Sequence, residues 1–392
     1  MTAKPLHLML AAGEPSGDAL GARLIKALRE EEGTHILFSG IGGRRMAEAG
    51  FKSLFPMEDL SVMGFAEVLP RAFLLKRRIR ETANAALTGK PDALVTIDSP
   101  GFALRVAGRL KGQGIPLIHY VAPQVWAWRP GRAKRIAKVF DRVLALLPFE
   151  APYFENEGLP CDFVGHSVVE GVLARGQRQE RARDFRARHG IDPDRPVVLL
   201  LPGSRKSEVG RLHPIFCETA VRLRERVPEL QIVLPTLPHV EEQVRDGLEK
   251  LRVPALVVAS EEEKFSAFAA ANAALAASGT VSLELAAAGV PTVVAYKVNP
   301  VSAWIGRRII QVPWITLINI ILDKALVPEF IQRDCRPDRL SDELYALLTD
   351  QALRDQQLDG AAEVMRRLGH GQEVVPSRTA ARAILAAIER NP

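Results

Sequence analysis

Cysteine is scarce: three in 392 residues. Cys161, Cys217 and Cys335 are an odd number, lie far apart, and show no CxxC or Cys/His spacing that could assemble a zinc site. A reducing compartment is therefore expected. Long apolar runs are missing too. The longest candidate, Ile309 to Leu322, is interrupted by Gln311, Pro313, Thr316 and Asn319 and falls short of the roughly 20 residues that span a bilayer. The N-terminal stretch runs straight into Gly13-Glu14-Pro15 without a signal-peptide core or cleavage site, and reads as the first buried strand of a cytoplasmic protein. No tract is biased enough to suggest disorder, and no internal repeat has a fixed period.

What is present is ample core material. With 47% hydrophobic residues over 392 positions, the chain exceeds what one core usually supports, so two domains are expected. Short apolar runs alternate with helical patterns: Leu6–Ala12, His35–Ser39, Ala93–Ile97, Pro116–Val121 and Val143–Leu147. A second series follows: Val197–Leu201, Gln231–Pro235, Ala255–Ala259, Ala273–Ala276 and Pro291–Tyr296. Continuous rather than alternating apolar strands imply parallel sheets covered on both faces. The reading is two doubly wound, Rossmann-like α/β domains facing a cleft: residues 1–170, then 171–364, with the segment 365–392 returning to the first. The charged stretch Arg175–His189 marks the junction. Arg378–Glu389 should form a final amphipathic helix capped by Ser377. Ligands of such folds bind beyond the carboxyl ends of the strands.

Two loops of the second domain carry candidate chemistry. Leu201-Pro202-Gly203-Ser204-Arg205 follows a strand, and the fork of Arg205 suits a diphosphate; the plain alternative is a solvated turn. Ser278-Gly279-Thr280 opens a helix, where backbone N–H groups favour anions, and Glu284 follows one turn on, placed for a ribose diol; the plain alternative is that Ser278 only caps the helix and Glu284 is the buried partner of an arginine. Neither segment matches G-x-x-x-x-G-K-[ST] or G-x-G-x-x-G, which removes the main support for ATPase and dehydrogenase readings.

In the first domain, Gly13-Glu14-Pro15-Ser16-Gly17-Asp18 lies between a strand and a helix and should point polar groups at the cleft. Asp98, directly after a strand, is either a general base for a hydroxyl nucleophile or the cap of the helix near Phe102. Gln124-Val125-Trp126-Ala127-Trp128-Arg129 sets two indoles beside basic residues, which fits a sugar, a phosphorylated acceptor or single-stranded nucleic acid, or else a core. His166 is a minor phosphate candidate. Asp192-Pro193-Asp194 has the form of a metal-sugar motif but precedes its strand, in a turn.

Val62, Met63, Phe65, Val68, Leu69, Phe73, Leu74 and Leu75, with Lys76 and Arg77, form an apolar-basic segment that can rest in a membrane interface or pack on the sheet. The net charge of +6 fits polyanionic partners without choosing among nucleic acid, anionic lipid and phosphorylated substrates.

Taken together and in order, Ala12-Gly13-Glu14-Pro15-Ser16-Gly17-Asp18, Ile97-Asp98-Ser99-Pro100, Val125-Trp126-Ala127-Trp128-Arg129, Val164-Gly165-His166, Leu201-Pro202-Gly203-Ser204-Arg205 and Ser278-Gly279-Thr280 with Glu284 resemble the lipid-A-disaccharide synthase family. The resemblance covers nearly the whole chain. It implies a two-Rossmann-domain (GT-B) inverting glycosyltransferase of lipid A and lipopolysaccharide biosynthesis. That enzyme would join UDP-2,3-diacylglucosamine to 2,3-diacylglucosamine 1-phosphate, giving a β-1,6 disaccharide 1-phosphate and UDP. Asp98 would be the base; Ser204, Arg205, Ser278, Gly279, Thr280, Glu284 and Asn319 would hold the nucleotide. Glu14, Ser16, Gly17, Asp18, Gln124, Trp126, Arg129 and His166 would hold the acceptor. No cofactor, metal or nucleic acid is implied; the cytoplasmic face of the inner membrane is, and a homodimer is allowed. Gly101, Ser167 and Ile318 depart from the family's usual Asp, Pro and Pro. Two rivals stand beside this reading: another UDP-sugar enzyme of the same fold, such as a 2-epimerase, and a non-catalytic glycolipid- or nucleic-acid-binding protein.

Overall fold

The structure is a computed structural model that describes residues 5–32, 36–60, 65–128 and 131–389. The chain divides into two compact units, Met1–Glu170 with Gly371–Pro392, and Gly171–His370. Each is built on one six-stranded sheet.

In the first unit the strands are β1 (Leu6–Ala12), β2 (Ile36–Ile41), β3 (Ala93–Ile97), β4 (Leu117–Tyr120), β5 (Arg142–Ala145) and β6 (Cys161–Phe163). Their order is β2-β1-β3-β4-β5-β6, parallel throughout. In the second they are β7 (Val197–Leu201), β8 (Gln231–Pro235), β9 (Leu256–Val258), β10 (Ala273–Ala277), β11 (Thr292–Tyr296) and β12 (Glu329–Ile331). Here the order is β12-β11-β10-β7-β8-β9, again parallel. The apolar runs are continuous because both faces are covered: along β7, Val198 and Leu200 enter one core cluster while Val197, Leu199 and Leu201 enter the other.

Strand order reverses between β1 and β3 in the first sheet and between β7 and β10 in the second. Neighbouring loops there turn to opposite faces of the sheet and leave a crevice at the strands' carboxyl ends. Of the loops singled out in the sequence, those after β1, β3, β7 and β10 flank these reversals, whereas the one with Gln124 follows β4 and the one with His166 follows β6.

The last helix, Pro376–Glu389, belongs to the first unit: Ala380, Ala381, Ile384 and Ala387 join its core. Glu31 grips it, accepting from Arg378 Nε at 2.8 Å and Arg382 Nε at 2.9 Å. The helix begins one residue before Ser377, so that serine is not its cap; instead the Ser377 N–H donates to Glu170 Oε1 at 2.8 Å. No described helix is long and apolar enough to cross a membrane.

Candidate functional site

The second unit holds a cavity of about 200 Å³ at its reversal point, lined from β7 by Leu201, Gly203, Ser204 and Glu208 and from β10 by Ala277, Ser278, Gly279, Thr280 and Glu284. Gly203 sits at φ +120°, and a Cβ there would come 2.7 Å from that of Glu208, so the turn is open only to glycine. Glu208 Oε2 accepts the N–H groups of Ser204 (3.2 Å) and Arg205 (3.3 Å), and Oε1 accepts from Arg205 Nη1 at 2.9 Å. Arg205 is exposed at the rim, its guanidinium drawn to Glu208.

Glu284 points at the cavity and is held by Lys264, whose ammonium lies 2.5 Å from Oε2 though off the hydrogen-bonding direction. The alternative of a cationic partner for Glu284 is therefore realised, by a lysine rather than an arginine. Lys264, over the rings of Phe265 and Phe268, went unnoticed in the sequence, where it looks like one more solvated residue after Glu261-Glu262-Glu263. His239, equally unforeseen, approaches the Ser204 carbonyl with Nε2 at 2.8 Å.

Ser278 Oγ donates to the Ile315 carbonyl at 3.0 Å, tying the cavity rim to the following loop. That loop hangs on Glu329, which accepts from the N–H groups of Ile315 and Thr316, the Thr316 hydroxyl and the Asn319 amide. Asn319, expected beside the nucleotide, is buried. Its amide is spent on Val327 O and Glu329 as donor and on the N–H groups of Leu326 and Val327 as acceptor. It shapes the loop and has no donor or acceptor left for a ligand.

At the first unit's reversal point, Asp98 ends β3 in the left-handed region (φ +56°), followed by Ser99 at φ +46°. Two consecutive non-glycine residues there cost about 1–2 kcal/mol each. The strain turns the Asp98 carboxylate out: Oδ2 accepts from Ser16 Oγ at 2.8 Å and Oδ1 from the Ser99 N–H at 2.8 Å. Asp98 does not cap the helix Pro100–Leu110, whose first turn is closed by the Ser99 carbonyl. Gly17 permits the approach, since a Cβ on it would meet the Ile97 carbonyl at 3.0 Å. Glu14 and Gln124 are exposed.

Two residues expected at the acceptor are used internally. Asp18 is buried, and its carboxylate accepts the N–H groups of Gly43 (2.7 Å), Arg45 (2.9 Å) and Met46 (3.1 Å), capping the helix Arg44–Glu48. Trp126 is buried, donates Nε1–H to Glu150 Oε1 at 3.0 Å and meets Phe149 edge-on. His166 accepts the Val168 N–H on Nδ1, and burial, with Arg23 nearby, pushes its imidazole down to about 4. It is neutral near pH 7 and can offer a hydrogen bond but no charge. The carboxylate of Asp192 accepts the Asp194 N–H at 2.9 Å, a local turn in which that carboxylate faces its own backbone.

Val62, Met63 and Arg129 lie outside the described residues, as do the side chains of Phe65, Val68, Leu69 and Trp128. The rest of the apolar-basic segment falls in the helix Phe65–Gly89. Its later half packs inward through Ile79, Ala83 and Ala86, with Leu75 against the core, while Phe73 is 83% exposed beside exposed Lys76 and Arg77.

The family model for Lipid-A-disaccharide synthetase matches residues 8–384. A lipid-A-disaccharide synthase of Rhodospirillum centenum is 54% identical over 389 residues, covering 99% of this chain and 96% of that protein. One of Paramagnetospirillum magneticum is 49% identical, covering 96% of each. Among solved structures, UDP-GlcNAc 2-epimerase from Neisseria meningitidis bound to UDP-GlcNAc aligns with a TM-score of 0.67 over 97% of this chain and 99% of that one, at 13% identity. MurG of Acinetobacter baumannii aligns with a TM-score of 0.56 over 98% and 100%, at 15% identity. These last two likenesses are of fold.

Proposed function

The chain belongs to the lipid-A-disaccharide synthase family and is a glycosyltransferase that uses a UDP-sugar, and from that premise we propose which of its residues do the work. The second unit's cavity takes the UDP moiety. Ser204, Arg205 and the segment Ser278–Thr280 meet the diphosphate, where cation and N–H donors stabilise the charge that develops as UDP leaves. Glu284, steadied by Lys264, accepts the ribose hydroxyls.

Asp98 is the base. It removes the proton from the 6-hydroxyl of 2,3-diacylglucosamine 1-phosphate as that oxygen attacks the anomeric carbon of UDP-2,3-diacylglucosamine. One C–O bond forms as the bond to UDP breaks, and the anomeric centre inverts to give the β-1,6 linkage. A single displacement needs one base and no covalent nucleophile. Glu14, Ser16, Gln124, Arg129 and His166 remain acceptor-side candidates; Asp18 and Trp126 do not. The membrane assignment, to the cytoplasmic face of the inner membrane through Phe73, Lys76 and Arg77, is supported by their exposure on one helix.

The observation that carries the proposal is the strained Asp98–Ser99 pair at a sheet reversal, with its carboxylate turned out onto Ser16. Asp98→Asn retains an acceptor for the Ser99 N–H, so the fold is kept. Turnover with both acylated substrates should fall by a factor on the order of 10² or more while UDP affinity by calorimetry is unchanged. Undiminished turnover would remove Asp98 as the base.

A further inference from the structure

We propose that the helix Pro300–Ile309 and the turn after it form a lipid-docking surface on the second unit, whose occupant is an anionic bilayer. Trp304 is 60% and Ile310 48% exposed, with Ile309 also exposed beside them. Elsewhere among the described residues large exposed apolar side chains come singly along the chain, which needs no explanation; three within one helix and its end do.

Charge selects the occupant. The Arg308 guanidinium lies 3.6 Å from the centroid of the Trp304 ring, one turn back, and has no carboxylate partner among the described residues. An indole stacked under a guanidinium suits the headgroup level of a bilayer, the ring in the interface and the cation on phosphate. Between Leu285 and Leu322 the sequence contains no Asp or Glu, but it does contain Lys297, Arg307 and Arg308. Such a segment offers nothing to a basic partner, and its aliphatic Ile309 and Ile310 give nucleic-acid bases nothing to stack on.

The surface is also continuous with the cavity. From Ile310 the chain reaches Ile315 in five residues, and the carbonyl of Ile315 receives the Ser278 hydroxyl at the cavity rim. Docking would hold that rim at the lipid surface, an advantage if the donor is acylated, which is the one point that rests on the proposed substrates. Lipid binding itself stands apart from catalysis and from the contact assigned to Phe73.

The test uses the full chain and vesicles of phosphatidylglycerol with phosphatidylcholine, or of phosphatidylcholine alone. Tryptophan fluorescence should be quenched by brominated lipid, and Trp304→Phe should abolish most of that quenching. Partition of Trp304→Ser/Ile310→Ser onto the anionic vesicles should fall roughly tenfold, and that of Arg308→Gln about fivefold, the weight of one basic residue near an anionic surface. Both should bind UDP as the parent does, which shows that the unit is folded. A Phe73→Ser background isolates the second surface. Full quenching in Trp304→Phe would overturn the proposal, as would partition of the double variant within about twofold of its parent in both backgrounds.

Discussion

Replacing Glu150 by Gln should reshape the pH dependence of the first unit's stability. Glu150 is 2% exposed, and its carboxylate accepts from Trp126 Nε1–H and the Leu147 N–H, each at 3.0 Å. Those donors favour the ionised form, yet burial outweighs them and raises its pKa from 4.5 to about 7. The folded chain therefore holds a proton here that the unfolded chain has released between about pH 4.5 and 7. Stability from this group is complete below about 4.5 and is lost as pH rises through about 7. At roughly 1.4 kcal/mol per unit, the loss is on the order of 3 kcal/mol, an upper limit. The amide stays neutral and keeps an oxygen for the indole, but turns an NH₂ toward the second donor, at about 1 kcal/mol. The variant should be about 1 kcal/mol less stable than the parent only well below pH 4.5, nearly as stable at pH 5, where roughly 1 kcal/mol of the parent's loss has already accrued, and about 2 kcal/mol more stable at pH 8. Hydrogen exchange of the β4 and β5 amides, corrected for intrinsic rates, reads this directly. Parallel pH profiles in parent and variant would refute an uncharged Glu150.

Two further changes separate structural from ligand-binding roles. Asp18→Ala leaves three N–H groups at a helix start without their acceptor and should cost about 2 kcal/mol in urea unfolding, with the KM for the acceptor unchanged below the transition; a raised KM at intact stability would return Asp18 to the binding site. Arg205 is exposed and its pairing with Glu208 is worth at most about 1 kcal/mol, so Arg205→Ala should leave stability nearly as it was and weaken UDP by about tenfold or more in calorimetry; unaltered UDP affinity would remove it from the diphosphate site.

The sheets were readable wherever burial on both faces makes a strand uniformly apolar, as in Val197–Leu201. Cys161–Phe163 and Glu329–Ile331 were not: each is three residues long, lies at a sheet edge and carries an acid, Asp162 or Glu329. The four loops at the reversals were legible because chemistry at the ends of parallel strands follows from topology. The role of each side chain within them was not. Asp18 and Asp98 both read in the sequence as polar loop residues of the first unit, although the helix Pro15–Glu32 already includes Asp18, and nothing in the sequence around them tells their roles apart. What does is the company brought from a distance: Gly43, Arg45 and Met46 use up the first, while left-handed backbone and Ser16 turn the second outward. Trp126 and Asn319 repeat the lesson through Glu150 and Glu329, both acids that drew no attention in the sequence. A buried carboxylate must collect donors, and in this chain it collects them from the segments whose motifs look functional. What the fold leaves to a ligand is then what stays at least partly in solvent at a strand's end: Ser16 and Asp98 in the first unit, Ser204, Arg205, Gly279 and Thr280 in the second.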